Sequence, residues 1–211
     1  MNKSQMLQSV RNYLSIFPES NEDKEKIIKV MGKIERKDFM EENKTFSYED
    51  SARSIGYGQT ISQPSTVARM LLLLKLKKTD EVLEVGTGSG WGGALLGELS
   101  KKVMTLEIVK ELAKKAEKKI KKQNIPNVKV KQDNFAELKQ KFNKIIFTAG
   151  ISGKRKEEKI IENFAKTHLK ENGILVCPYQ SGSLIIFSYK NGKIKKDYTK
   201  EQYVFVPLIL E

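Results

Sequence analysis

The stretch VLEVGTGSGWG, residues 82–92, is the strongest indication of a fold in this chain. A short apolar run ends in a turn with glycine at every second position, Gly86, Gly88 and Gly90, and a helical pattern follows. Without side chains there, the backbone can approach a ligand closely, and the amides of the following helix point at it. The stretch therefore predicts a strand, a ligand-binding turn and a helix.

The same alternation of strand and helix continues on both sides of this turn. Helix is predicted for residues 66–76, 91–100, 111–123 and 156–169, and strand for 81–85, 102–108, 128–133, 144–150 and 173–179. Such alternation indicates an α/β fold with a doubly wound, mostly parallel sheet. Near the C-terminus, strand-like runs flank Asn191-Gly192, a hairpin signal, so antiparallel strands are expected there. Residues 1 to about 45 predict helices, interrupted at Pro18.

The amino-acid composition limits the kinds of catalytic and metal-binding site that the chain can form. The 211 residues contain one cysteine, Cys177, and one histidine, His168, so we expect no disulfide, no metal site and no Cys–His nucleophile. Cys177 is interpreted as a core thiol, and His168 as a residue near a helix end. The longest apolar run is far below the roughly 20 residues that span a bilayer, and no signal-peptide pattern occurs. A cytoplasmic protein with no membrane partner is expected.

The net charge of +13 raises the possibility of a nucleic-acid partner. Only five of the 39 basic residues are arginine, the side chain suited to bidentate phosphate recognition. In the densest lysine run, Leu112, Ala116 and Ile120 recur every four residues, which predicts a helix with one buried stripe and a solvated lysine face. Binding of nucleic acid is therefore not expected as the main role.

Three acidic residues accompany the predicted strands. Glu84 precedes the glycine turn, Glu107 ends the next strand, and Asp133 follows the third. Glu107 lies where a dinucleotide fold places the acid that binds ribose hydroxyls. The Gly-x-Gly-x-Gly spacing differs from the Gly-x-Gly-x-x-Gly of pyrophosphate binders. An acid near the turn instead suits the cationic amino group and sulfonium of S-adenosyl-L-methionine (AdoMet), and Asp133 lies where an adenine amino group is expected. AdoMet is therefore the predicted cofactor.

Further motifs give a more specific resemblance. The blocks IGYGQTISQP (55–64), VARM (67–70), VLEVGTGSGW (82–91), IIFTAG (145–150), NGILVCP (172–178) and FVPL (205–208) occur in an order that resembles the protein-L-isoaspartate O-methyltransferase family. The similarity begins near VMGKIERKDF, at residue 30. It implies a Rossmann-like AdoMet methyltransferase fold with an altered order of the last strands and an N-terminal helical cap. One domain, 1–211, is expected, with a cap at 1–50, an active-site loop at 51–65 and a core at 66–211.

The resemblance also implies an activity and a site. The implied reaction transfers a methyl group from AdoMet to the free α-carboxylate of an L-isoaspartyl residue in a damaged protein, leaving S-adenosyl-L-homocysteine (AdoHcy). Ser62 is the implied active-site residue, holding the substrate carboxylate through its hydroxyl. The predicted cofactor-binding residues are Gln59, Thr60, Ile61, Ser62, Glu84, Gly86, Thr87, Gly88, Ser89, Gly90, Glu107, Ile108, Asp133 and Asn134. A monomer is expected.

The chain departs from the family pattern at several positions. Gln132-Asp133-Asn134 replaces Gly-Asp-Gly, Arg53-Ser54 replaces Leu-Pro, and the basic segment GISGKRKEE (150–158) replaces an Ala/Pro-rich loop that lines the substrate site. Two alternatives stay open. One is methylation of RNA, although FTAGISG lacks the Asp/Asn-Pro-Pro-aromatic motif of base methylation. The other is a catalytically silent AdoMet-binding protein, which the altered loop favours.

Overall fold

The glycine turn follows the central strand of a seven-stranded sheet in the computed structural model, which describes residues 1–42 and 44–210. The helices are α1 (Lys3–Ser15), α2 (Asn21–Lys33), α3 (Pro64–Leu74), α4 (Trp91–Leu99), α5 (Lys110–Lys122) and α6 (Arg155–His168). The strands are β1 (Arg53–Gly56), β2 (Gln59–Ile61), β3 (Glu81–Val85), β4 (Lys102–Glu107), β5 (Val128–Gln132), β6 (Phe142–Phe147), β7 (Leu169–Pro178), β8 (Ser181–Gly182), β9 (Leu184–Lys190), β10 (Lys193–Tyr198) and β11 (Tyr203–Val204). Short 3-10 turns occupy Arg36–Phe39, Lys44–Phe46 and Phe135–Glu137.

The main sheet has the strand order β10-β9-β7-β6-β3-β4-β5. Strands β3 to β7 are parallel, and β9 and β10 add an antiparallel hairpin at one edge. This confirms the predicted α/β class, including the antiparallel strands around Asn191-Gly192. The chain proceeds outward in one direction from β3 through β5 and then returns to β6 on the other side of β3. Ligands bind at the carboxyl ends of strands beside such a reversal.

Two hydrophobic clusters cover the two faces of the sheet. One combines apolar residues of α1 to α5 with the sheet, and the other packs α6 against it. Cys177 is fully buried in the second cluster, as predicted, and burial raises the pKa of its thiol. On α5, Leu112, Ala116 and Ile120 are buried, which confirms the predicted stripe.

The N-terminal region is helical, as expected, but the segment before the core has more structure than the sequence indicated. Strands β1 and β2 form an antiparallel hairpin within the predicted active-site loop. Helix α3 begins at Pro64, because proline suits the first helical turn, two residues before the predicted start. Asn43 in the predicted cap and Glu211 in the predicted core lie outside the described residues. Within the described ranges, no helix has the length and apolar character needed to cross a membrane.

His168 is the last residue of α6, which agrees with its predicted place near a helix end. Its Nδ1 lies 2.8 Å from the carbonyl oxygen of Gln140, and its ring packs on Phe164 with 4.2 Å between ring centroids. These contacts place His168 in a structural role, away from the cleft described below.

Candidate active site

The glycine turn after β3 takes a conformation that side chains would oppose. Gly86, Gly88 and Gly90 have φ of 99°, 51° and 88°, values that glycine adopts without steric cost. A Cβ on Gly86 would lie 2.3 Å from Oγ1 of Thr148, and one on Gly90 would lie 3.0 Å from Cβ of Ala116. The turn therefore fits tightly between the end of β6 and helix α5.

The first three amides of the turn are occupied by acceptors within the protein. Gly86 and Thr87 donate to the carbonyl oxygen of Leu106 at 2.9 and 3.0 Å. Gly88 donates to Oε2 of Glu107 at 2.8 Å. The sequence predicted that amides of the following helix point at the ligand; these three amides precede that helix and are paired within the protein. An anion site needs unpaired N–H groups, so this part of the turn does not suit a pyrophosphate.

Glu107, at the end of β4, holds the turn to the strand that follows it. Besides Gly88, its carboxylate accepts a hydrogen bond from the Val109 amide, at 3.0 Å from Oε1. A carboxylate has about four lone-pair positions, so two remain after these bonds. Because Glu107 also lines the cleft, those positions can accept from a pair of ligand hydroxyls such as those of a ribose.

Glu84 lies in β3 beneath the start of α4. It is fully buried, and its Oε2 accepts a hydrogen bond from the Thr105 hydroxyl at 2.6 Å. A Cβ on Gly92 would lie 2.3 Å from its Oε1, so α4 can cross this close to the acid only with glycine there. Burial raises the pKa of Glu84 to about 8, the Thr105 hydrogen bond opposes that increase, and Glu107 adds to it. A cationic ligand group would favour its ionised form.

Asp133 follows β5 and completes a row of acids at three neighbouring strand ends. Its Oδ1 accepts from the Asn134 amide at 2.9 Å, and its own amide donates to the carbonyl oxygen of Glu107 at 3.2 Å. Asp133 lines the cleft. The side chain of Asn134 instead accepts from the Ala136 amide at 3.0 Å and caps a short 3-10 turn.

The segment after β2 forms the opposite wall of the cleft. Gln59, Thr60, Ile61 and Ser62 all line it. The hairpin that carries them turns through Gly56, Tyr57 and Gly58, which have φ of 87°, 56° and 70°. The turn-rich sequence thus reverses the chain, and β2 leads the segment back across the glycine turn.

The cleft enclosed by these walls has about 880 Å³ of open space, including its mouth. Twelve of the fourteen predicted cofactor-binding residues line it: Gln59, Thr60, Ile61, Ser62, Glu84, Gly86, Thr87, Gly88, Ser89, Glu107, Ile108 and Asp133. Gly90 and Asn134 do not. Gly90 packs toward α5, and Asn134 caps its own turn.

No role was predicted for the C-terminal tail, yet four of its residues line the cleft: Val206, Pro207, Leu208 and Ile209. The tail is held by Gly150, whose amide donates to the Val206 carbonyl and whose carbonyl accepts from the Leu208 amide, both at 2.8 Å. The FVPL motif was the only sequence feature that pointed to this tail. Its position beside the cleft could not be predicted from it, because that position depends on hydrogen bonds to Gly150, more than fifty residues away. Trp91, Phe135, Thr148 and Ala149 are further lining residues that the sequence analysis did not single out.

The basic segment 150–158 begins beside this tail, since Gly150 pairs with Val206 and Leu208. Ser152 donates through both its amide and its hydroxyl to the Glu157 carboxylate, each at 2.6 Å. Lys154, Arg155 and Lys156 are exposed. The segment is thus anchored at its start and presents three cations to solvent.

A parallel sheet that reverses direction beside β3, a glycine turn and a row of strand-end acids define the class of AdoMet-dependent methyltransferases. The structure is similar over its full length to a protein-L-isoaspartate O-methyltransferase from Plasmodium falciparum in complex with AdoHcy, with a TM-score of 0.81, 24% identity and full coverage of both chains. A second protein-L-isoaspartate O-methyltransferase structure matches 98% of this chain and 66% of its own, with a TM-score of 0.79 and 21% identity. At these identities the likeness shows the fold.

Sequence similarity defines the family. The model of the protein-L-isoaspartate(D-aspartate) O-methyltransferase family matches residues 1–211. The Dictyoglomus turgidum protein-L-isoaspartate O-methyltransferase is 37% identical over 191 residues, 87% of this chain and 83% of its own. The Dictyoglomus thermophilum enzyme is 34% identical over 205 residues, 94% of this chain and 90% of its own. The chain therefore belongs to the protein-L-isoaspartate(D-aspartate) O-methyltransferase family.

Proposed function

We propose that the protein transfers a methyl group from AdoMet to the free α-carboxylate of L-isoaspartyl residues in damaged proteins, which initiates their repair. The observation that carries this proposal is the family match over the whole chain. The acidic cleft is consistent with it, since three carboxylates suit a ligand with hydroxyl, amino and ammonium groups better than one with phosphates.

The residues of the cleft fit AdoMet group by group. Glu107 accepts from the ribose hydroxyls, Glu84 lies toward the cationic methionine end, and Asp133 accepts from the adenine amino group. The occupied amides of the glycine turn support this assignment over a dinucleotide. When bound, AdoMet supplies an electrophilic methyl group on a sulfonium.

Ser62 is the residue that we assign to the substrate. Its hydroxyl donates a hydrogen bond to the isoaspartyl α-carboxylate and holds one oxygen in line with the methyl carbon. A carboxylate with a pKa near 4 is already ionised at neutral pH, so no general base is required. The contribution of the protein is alignment, which by itself supplies a large part of the rate enhancement in reactions of this type.

The family match does not favour methylation of RNA. A catalytically silent protein is supported only by the altered 150–158 segment. That segment begins at the cleft wall and carries Lys154, Arg155 and Lys156 on an exposed surface. Its cations can attract acidic peptides, so a changed preference among isoaspartyl substrates accounts for the segment without loss of activity.

A paired peptide assay tests the proposed function. Two peptides of identical sequence, one with an L-isoaspartyl residue and one with a normal aspartyl residue, are incubated with the protein and methyl-labelled AdoMet. We expect base-labile methyl ester on the isoaspartyl peptide alone. Equal labelling of both peptides, labelling only of added RNA, or AdoMet binding without any transfer would each contradict the proposal.

A monomeric state and a cytoplasmic location complete the proposal. A single buried cysteine is consistent with a reducing compartment. Light scattering on the purified protein tests the first prediction, and fractionation of source cells tests the second.

A further inference from the structure

Arg36 is a completely buried arginine that lies outside the cleft lining and is not among the predicted site residues. Its guanidinium donates to three backbone carbonyls. Nη1 lies 2.6 Å from the oxygen of Ser47, and Nη2 lies 3.2 Å from that of Ser51 and 3.0 Å from that of Ser62. A guanidinium is planar and its donors have fixed directions. The three carbonyls are therefore fixed relative to each other, although they span sixteen residues of chain.

The same guanidinium also contacts the cofactor side of the cleft. Its Cζ lies 5.3 Å from the ring centroid of Trp91, the first residue of α4, which lines the cleft. Cation–π contact at this distance is attractive, more so when both groups are buried. Arg36 thus connects the carbonyl of Ser62 to the helix that follows the glycine turn.

The surroundings of Arg36 differ from those of an ordinary buried ion pair. Burial lowers the pKa of Arg36 to about 10, Asp50 opposes that decrease and Arg53 adds to it, so the group remains charged at neutral pH. Its hydrogen bonds go to main-chain oxygens of the segment that carries Ser62. A lysine ammonium is a compact charge with tetrahedral donors and cannot reproduce this planar arrangement.

We propose that Arg36 is a positioning residue for methyl transfer: it holds the Ser62 segment against the start of α4, so that the serine lies at the methyl-transfer position. This inference rests on the proposed role of Ser62. Without Arg36, residues 47–62 lose a common anchor, while the row of acids at the strand ends keeps its own contacts. Because the strand-end acids are the main predicted cofactor contacts, the expected defect is much larger in turnover than in cofactor binding.

The test compares Arg36→Lys and Arg36→Met with a matched control, Arg69→Met. Arg69 is also buried, pairs with Glu19 at 2.8 Å and lies 3.8 Å over the ring of Phe17, away from the cleft. Each variant is checked by thermal melting and assayed below its melting temperature for kcat, for KM of the isoaspartyl peptide and for AdoHcy affinity. Trp91 is the only tryptophan of the chain, so its fluorescence reports on the Arg36 contact directly.

We expect kcat to fall about 30-fold or more in Arg36→Met and about 5- to 10-fold in Arg36→Lys, with AdoHcy affinity within about 3-fold of the wild type. Trp91 emission should change in both Arg36 variants. Arg69→Met should keep kcat within about 2-fold and Trp91 emission unchanged, whatever its loss of stability. Wild-type kcat in Arg36→Lys would overturn the inference, and this outcome remains measurable if Arg36→Met does not fold. An equal loss of kcat in Arg69→Met would also overturn it, whereas an inactive wild type would instead contradict the proposed function.

Discussion

The two sides of the cleft are held in place by different means. The floor, defined by Glu84, Glu107 and Asp133, lies at the ends of three adjacent parallel strands. The rim, defined by residues 59–62 and 206–209, comes from segments more than 140 residues apart in the chain. Sheet register brings the floor acids together, whereas the rim depends on anchors between distant segments such as those made by Arg36 and Gly150. Substitutions in the floor should therefore mainly affect cofactor affinity, whereas those in the rim should mainly affect turnover or access and change affinity less.

The largest expected effect is in the floor. Glu107→Lys replaces the acceptor of two backbone amides and of the proposed ribose hydroxyls with a cation. We expect AdoHcy affinity, measured by calorimetry, to fall at least about 100-fold, because charge-assisted hydrogen bonds are lost together. Glu111→Lys, at an exposed position on α5, is the control for charge alone. Wild-type AdoHcy affinity in a folded Glu107→Lys protein would exclude the proposed role of Glu107 in cofactor binding.

The second prediction distinguishes the rim from the floor by comparing turnover with cofactor affinity. Ser62→Ala removes the hydroxyl proposed to hold the substrate carboxylate, so kcat should fall about 10- to 100-fold while AdoHcy affinity stays within about 3-fold. Steady-state kinetics with the isoaspartyl peptide gives the first value, and calorimetry gives the second. Ser54→Ala, at an exposed position in the same hairpin, should retain turnover. Unchanged kcat in Ser62→Ala would exclude the proposed role.

A smaller effect is expected from the C-terminal part of the rim. Leu208→Ala removes apolar surface from the cleft wall but leaves the backbone bonds to Gly150. AdoHcy affinity should decrease about 5-fold, which corresponds to about 1 kcal/mol of lost burial. Val204→Ala, at a side chain that is 84% exposed, should change nothing measurable. If Leu208→Ala and Val204→Ala bound AdoHcy equally well, the tail would not belong to the binding site.

A prediction of a different kind, on stability and not on activity, concerns the protonation of Glu84. Its pKa is raised from 4.5 to about 8, so the folded state binds more protons than the unfolded state between those values. The contribution of this group to stability therefore decreases as pH rises from about 4.5 to about 8. In Glu84→Gln this component of the pH dependence should be absent from denaturant titrations.

The same group should link cofactor binding to protons. A cationic methionine end next to Glu84 favours the carboxylate, so AdoMet binding near pH 7 should release up to about one proton. Calorimetry in two buffers with different ionisation enthalpies measures this number, and Glu84→Gln should reduce it. An exposed control, Glu111→Gln, should behave as the wild type. Equal release in Glu84→Gln would assign the proton to another group.

Local sequence was sufficient for much of the floor. The apolar run before Gly86 and the acid at the end of the next strand indicated a strand-end site, and the fold and the family are both confirmed. Glu84, Glu107 and Asp133 all line the cleft, although their contacts with a cofactor stay predictions. Gly90 was grouped with the ligand-binding residues because sequence spacing does not show direction, and its neighbour is α5.

The periodic elements, the strand-end acids and the family motifs could be predicted from the sequence, because they depend on residues close together in the chain or on short ordered blocks. Which segments close the cleft became visible only in three dimensions. The three carbonyl contacts of Arg36 and the seating of the tail on Gly150 join residues more than ten positions apart in the chain. Such contacts leave no local pattern, because a buried guanidinium or a paired backbone amide is recognised by what surrounds it in space.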